Sequence, residues 1–441
     1  MEQKKIFFYI IIYLFVTLSL WHIASSLHSG EFSISKRKAI EYEVIAKNII
    51  KNGTYSRNGV DPSGYFPPIY TLLVAAAIKL FGSSYEWPIV LFQLLITIGI
   101  GILIYKITSE TFDSKLAGVI AVVIFSLHAE LALAFSFDIR ETGIFTFFLV
   151  LFVYFLTSKN IKRKFILASI CAGISSLIRP TGVLLILILM VWIFIYSRKN
   201  KDPIISIIKK SAFPSLLVFF LIVTPWLTFE SLTLNSLVLT TSTTYGQNIL
   251  KGNSPATERI YPLIDVDILQ VTFDNLLDKK GITGEVERED YLKKLGITYI
   301  KNNPKNFLQI SIIKFLAFYS PISTPIGHGK VFLNENKHTV IKDFKIGLIN
   351  IVYFPFMIIL YLGVMMMIIH RIERKTKFLS VLLITLVIFT LNHMVFFAET
   401  RFRYPLDPLI IILAAGGYYS VLNKYLKKED RKNKERGISI E

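Results

Sequence analysis

The chain has 441 residues, 53% of them hydrophobic and 14% aromatic, and its 49 basic against 31 acidic residues give a formal charge of +18. At a mean hydropathy of +0.54, this composition excludes an ordinary soluble domain and describes a polytopic membrane protein, whose basic residues mark cytoplasmic loops rather than a nucleic-acid surface. The single cysteine, Cys171, lies in an apolar run and excludes both an intrachain disulfide and a cysteine metal cluster.

Residues 6–25 are long enough to span a bilayer and carry no small-residue cleavage pattern. They read as a retained first span, with Lys4 and Lys5 holding the amino terminus in the cytoplasm. The polar stretch 26–84 then lies outside. Within it Tyr42, Ile45, Ala46, Ile49 and Ile50 recur at helical spacing, with Ser35 placed to cap the helix and Asn52-Gly53 to stop it. Asp61-Pro62-Ser63-Gly64 turns the chain, and Pro67-Pro68 opens a second short apolar helix, 69–81, which carries Lys79 and ends at Gly82. These two helices read as lying along the membrane interface rather than crossing it.

Spans two to seven are expected at 87–105, 116–135, 142–156, 165–177, 183–196 and 211–229. A second large outer segment follows at 230–343. It contains a third interfacial helix starting at Phe307, with Lys314 in its middle and Pro321 at its end. Spans eight to ten are expected at 346–369, 378–397 and 406–422, before a basic cytoplasmic tail at 424–441. Every inner loop is basic and both large loops fall outside. The pattern therefore predicts about ten spans, with both termini cytoplasmic, in the plasma (inner) membrane. No pair of matched broken helices is visible, which weighs against common transporter architectures.

Arg140, Arg179, Lys314, Arg401 and Arg403 come to the outer face from distant parts of the chain. Snorkelling to headgroups accounts for any one of them. Together they predict a site for a phosphate-bearing lipid. Glu41, Glu43, Asp138 and Glu141 share that face and are candidate general bases. Glu43 has Lys47 as an i, i+4 partner, while Asp138 and Glu141 have Arg140 and Arg179 available for pairing. The run 244–255, with Tyr245, Asn248 and Asn253, reads on composition as a turn-rich loop, although planar amides beside an aromatic also suit sugar hydroxyls. The chain has no Walker loop, dinucleotide fingerprint or zincin motif, and His128, His328, His370 and His393 read as isolated packing or loop residues.

In order along the chain stand YxxIAxNIIxNGxYS (42–56), YFPPIYTLLVAAAIKLFG (65–82), Glu141 at the head of span four, LIRPTG (177–182) and YGQNILKGN (245–253). NNPKNFLQISIIKF (302–315) and TRFRYPLDP (400–408) follow. This ordered set resembles the membrane-embedded C-type glycosyltransferases, nearest in pattern to protein O-mannosyltransferases and the transferases that add aminoarabinose to lipid A. The resemblance implies an all-α polytopic fold of about ten transmembrane helices, one domain over 1–441, with interfacial helices in two large extracytoplasmic loops. It also implies sugar transfer from a polyprenyl-phosphate donor to an acceptor hydroxyl on a glycan, lipid or protein at the outer face of the bilayer. Arg179, Lys314, Arg401 and Arg403 would hold the phosphate, and Tyr245, Asn248 and Asn253 would face the sugar or support their loop. An acid in the first outer loop would take the proton, but the position that carries Asp in many relatives is Lys38 here. Glu41 and then Glu43 are the nearest replacements, followed by Asp138 and Glu141. No cofactor is called for, and no motif indicates a divalent metal. From other classes, the same cations would serve a carrier or flippase for lipid-linked or anionic solutes. Without an acid facing the site, the chain would instead be a non-catalytic envelope assembly protein.

Overall fold

The computed structural model describes residue 13 and residues 40–158, 161–199, 203–323, 327–334, 337–344, 349–369 and 376–435. Apart from Tyr13, the first expected span lies outside the described residues, as do Ser35, Lys38, His370 and the basic run that follows it. The described chain is helical apart from one antiparallel hairpin, Gly327–Asn334 with Lys337–Phe344, and an isolated bridge between Ser56 and Pro62.

Helix α1 (Ile40–Asn52) buries the predicted stripe through Tyr42, Ile45 and Ala46, and Gly53 stops it at φ +68°. Proline at the first position opens α2 (Pro68–Phe81), whose N-terminal end packs against α1: the Tyr42 ring lies 4.5 Å from Phe66 and 5.0 Å from Tyr70. Helix α3 (Glu86–Phe112) runs past the expected end at 105, so Lys106 lies within it.

The expected third span is not one helix. α4 (Lys115–Ser126) and α5 (Ala129–Ser136) meet at a 73° bend. At the break His128 has φ −81° and ψ 91°, and its Nδ1 accepts the Leu131 N–H at 3.4 Å, which caps α5. The other ring nitrogen, Nε2, lies 3.5 Å from the Asp407 carboxylate. A residue expected to be isolated is therefore what terminates and restarts the helix.

Helices α6 (Thr142–Thr157), α7 (Lys164–Ser176) and α8 (Leu184–Lys199) begin where expected, and the stretch Ile204–Thr233 forms a longer helix, α9, than the sequence predicts. The second outer segment carries α10 (Tyr245–Gly252), α11 (Pro255–Ile260), α12 (Leu269–Lys279), α13 (Glu285–Asn302) and α14 (Pro304–Phe318). These helices share a second core, in which Leu250, Val266, Phe273, Leu277 and Leu292 are buried. After the hairpin come α15 (Ile349–Ile369), α16 (Thr376–Val395), the short α17 (Thr400–Arg403) and α18 (Asp407–Glu435).

Among the described residues, four helices are long and apolar enough to cross a bilayer, or five if the bent pair counts as one span. Thr142–Thr157 (α6), Lys164–Ser176 (α7), and Tyr353–Ile369 and Leu379–Val395 within α15 and α16 are apolar but shorter. Length alone therefore falls below the ten spans expected.

The run 244–255 does not form a loop. Tyr245–Gly252 is helical, and its two glycines are close-approach positions. A Cβ at Gly246 would meet the Glu289 carbonyl oxygen at 1.8 Å, and one at Gly252 would meet that of Phe396 at 1.7 Å. Glycines that read as turn formers are here because two neighbouring backbones touch the helix.

Candidate functional site

Between the apolar helices and segment 230–343 lies a cavity of about 450 Å³. Its charged lining comes from four places: Asp138, Arg140 and Glu141 in the turn before α6; Arg179 before α8; Asp267 from segment 230–343; and Arg401 in α17. Phe402 and Tyr404 complete one wall. Such a volume suits a small polar ligand.

The turn is built tightly. The Arg140 N–H donates to the Asp138 carbonyl at 2.8 Å, and the Asp138 carbonyl also accepts from Gln93 Nε2 at 2.9 Å. Glu141 has both carboxylate oxygens engaged: Tyr42 donates its hydroxyl to Oε2 at 3.1 Å, and Arg179 Nε lies 3.6 Å from Oε1. The Arg179 guanidinium also sits over the Phe402 ring at 5.4 Å. Arg140 is exposed and makes no ion pair among the described residues.

On the opposite wall, Arg401 is held by Asp267 at 2.7 Å, by Asp265 at 3.6 Å and by buried Glu399 at 2.6 Å. Lys251 reaches the same Asp267 at 3.0 Å. Desolvation works to raise Asp267, but Lys251 and Arg401 outweigh it and bring the carboxyl down to about 2. Burial, against the pull of Arg401, holds Glu399 well above the usual carboxylate range. From the sequence Glu399 was expected among the outer-face acids, but Asp265 and Asp267, the other two partners of Arg401, were not singled out. Two aspartates two positions apart carry no signal until the fold sets them against Arg401.

Of the residues expected in the site, Asp138, Arg140, Glu141, Arg179 and Arg401 come together. Glu41 does not: it is exposed on α1. Glu43 pairs with Lys47 at 2.7 Å, as its spacing predicts. Arg403 lies inside the helix bundle, fully buried. Its Nε donates to Asp407 at 2.7 Å, and its other nitrogens donate to the carbonyls of Phe318 (2.9 Å) and Ser320 (3.2 Å) and to the hydroxyls of Tyr353 and Tyr361.

Lys314 is likewise buried, held by Asn253 Oδ1 at 3.1 Å and by the carbonyls of Met394 and Val395 at 3.3 and 3.2 Å. Asn253 Nδ2 in turn donates to Ile249 and Val395 carbonyls, Asn248 Nδ2 to Thr244 Oγ1, and the Tyr245 hydroxyl to Asp290. Lys314 and Asn253 tie the outer segment to the end of α16, Asn248 and Tyr245 bond within the segment, and none of the four lines the cavity. Among the described residues, no group of three or more His, Cys, Asp or Glu is arranged to hold a metal ion.

The buried ammonium has a measurable consequence. Burial lowers Lys314 from 10.5 to about 7. Between those values the unfolded state binds more protons than the folded one, so stability rises with pH across that window. Replacing Lys314 with Met should flatten the rise of Tm from pH 7 to about 10, as read by thermal unfolding in detergent.

Residues 66–229 match the family model described as dolichyl-phosphate-mannose-protein mannosyltransferase, a stretch that includes Asp138, Arg140, Glu141 and Arg179. In solved structures the chain is similar to the oligosaccharyltransferase of Archaeoglobus fulgidus in its apo form. The TM-score is 0.54 at 15% identity, covering 97% of this chain and 52% of that one. Against the same organism's AglB, in complex with an inhibitory peptide and a dolichol-phosphate, the TM-score is 0.48 at 14% identity, with 96% and 52% covered. Against ArnT from Cupriavidus metallidurans bound to undecaprenyl phosphate it is 0.39 at 13% identity, with 93% and 77% covered. The chain thus spans about half the length of the archaeal enzyme whose fold it shares. No curated protein matches it.

Proposed function

We propose that this chain is a membrane-embedded C-type glycosyltransferase that moves a sugar from a polyprenyl-phosphate donor to an acceptor hydroxyl in the cavity under its second outer segment. What carries this reading is the charge of that cavity, three guanidiniums facing three carboxylates drawn from remote parts of the chain. Arg140 and Arg179 take the donor phosphate, because a guanidinium can offer two charge-assisted hydrogen bonds to phosphate oxygens. Arg401 is already paired with the ionised Asp267 and forms the wall against which the donor packs.

Glu141 is the general base. The acceptor oxygen attacks the anomeric carbon while its proton passes to the Glu141 carboxylate. The bond between that carbon and the phosphate oxygen breaks, and its electron pair leaves on polyprenyl phosphate, stabilised by the two arginines. The cavity opens to the extracytoplasmic side of the plasma membrane, and both termini lie in the cytoplasm.

Native mass spectrometry of the purified protein should reveal a co-purifying polyprenyl phosphate. Replacing Arg179 with Ala removes a charge-assisted contact worth about 1.5–3 kcal/mol, so affinity for that lipid should fall by roughly one to two decades. Arg179→Lys should recover only part of the loss. Wild-type affinity in Arg179→Ala would remove the phosphate site from this cavity. Turnover of a polyprenyl-phosphate sugar in detergent, where there is no membrane to cross, separates transfer from carriage.

A further inference from the structure

The first outer segment reaches the catalytic turn twice, through tyrosines of its two helices. Tyr42 of α1 donates its hydroxyl to Glu141 Oε2 at 3.1 Å across 99 residues of chain. Tyr70 of α2 donates to Gln93 Oε1 at 2.9 Å, and Gln93 Nε2 donates on to the carbonyls of Asp138 and Ser136 at 2.9 and 3.3 Å. One tyrosine holds the carboxylate and the other, through Gln93, holds the backbone that carries it. Both rings are buried and meet edge to face at 5.0 Å, so neither hydroxyl is free to wander.

We propose that Tyr42 is a positioning residue for Glu141: the first outer segment supplies the hydroxyl that orients the base and not the base itself. This rests on the assignment of Glu141 above and extends it. A carboxylate has two oxygens and, about its terminal torsion, a broad rotational freedom. In this site Arg179 approaches Oε1 and Tyr42 fixes Oε2, so the torsion of the carboxylate is held while Glu141 still lines the cavity. Burial, then the negative charge of Glu141, keep the Tyr42 hydroxyl well above the ordinary phenol range, so it remains a donor. Among the described acids of the segment, Glu41 is exposed, Glu43 pairs with Lys47 and Asp61 accepts from Asn58 Nδ2. A general base oriented by a third group recurs wherever a side chain must accept a proton along one direction.

Tyr42→Phe keeps the ring and its packing and removes only the donor. In purified protein, kcat should fall roughly ten- to a hundredfold while KM for the polyprenyl-phosphate donor and the Tm stay near wild type. Combined with Glu141→Gln, the loss should not multiply: single-turnover rates of the double variant should match those of Glu141→Gln alone. A wild-type kcat in Tyr42→Phe, or a loss that multiplies with that of Glu141→Gln, overturns the positioning role. If Glu141→Gln is itself fully active, the assignment of the base falls and this inference falls with it. A crippled Glu141→Gln beside an intact Tyr42→Phe overturns this inference only.

Discussion

Glu141→Gln should lose about two to four decades of turnover, the usual contribution of a general base, while still binding the donor. The amide keeps the size of the side chain and can still accept from Tyr42, so the change is confined to the missing carboxylate. The measurement is single-turnover transfer from a polyprenyl-phosphate sugar, with donor affinity determined in parallel. Glu41→Gln should be silent, since Glu41 is exposed on the outer side of α1. Glu43→Gln should cost at most about 0.5 kcal/mol of stability, the worth of an i, i+4 pair. Asp138, the other acid of the turn, is the internal comparison. Full turnover in Glu141→Gln with a crippled Asp138→Asn would move the base to Asp138.

The second large effect is on stability. Arg403 and Asp407 form an ion pair with both side chains fully buried, and the remaining Arg403 nitrogens are satisfied by two carbonyls and two tyrosine hydroxyls. Removing one partner of such a pair strands the other charge in a dry interior, a penalty of about 3–5 kcal/mol. Arg403→Ala should therefore lower the Tm steeply or prevent accumulation of folded protein in membranes. Arg403→Lys should rescue only weakly, because a single ammonium cannot reproduce a planar fork that meets five partners. Replacing both Arg403 and Asp407 with apolar residues of similar size should be better tolerated than either single change. A stable Arg403→Ala would show that the pair is not what holds this interior together.

How far the sequence reveals this protein differs between elements. The α1 stripe, the proline start of α2, the Glu43–Lys47 pair and the heads of α6 and α7 were legible, because each depends on residues within a turn or two of one another. Arg140, Arg179, Arg401, Asp138 and Glu141 were expected on one face, and all five line one cavity. The sorting of cations was not legible. Arg401 and Arg403 are two residues apart, yet the short helix α17 turns one toward the cavity and the other into the bundle. The break at His128 escaped the hydropathy pattern because the residues on both sides are apolar and only one histidine marks it. The helix at 245–252 escaped because glycine and asparagine carry the same local signal in a turn and at a crowded helix contact. The candidate bases were ranked by loop membership, whereas the surroundings of Glu141 are set by Tyr42 and Arg179, which come from two other stretches.

The crowded helix also sets an order of events during synthesis. Eight residues with a glycine at position two and another at the end are too few and too poor in helix formers to persist alone. Its partners arrive late: the Asn253 side chain donates to the Val395 carbonyl, 142 residues downstream, and Tyr261 donates to that of Ala398. At about 5–20 residues per second, a ribosome needs roughly 7–30 s to supply that stretch. For that interval the segment bearing Asp267 has left the ribosome without the surface it docks on. The wall of the cavity nearest Arg401 is thus among the last parts of the nascent chain to be completed, after the turn bearing Glu141 has long been made.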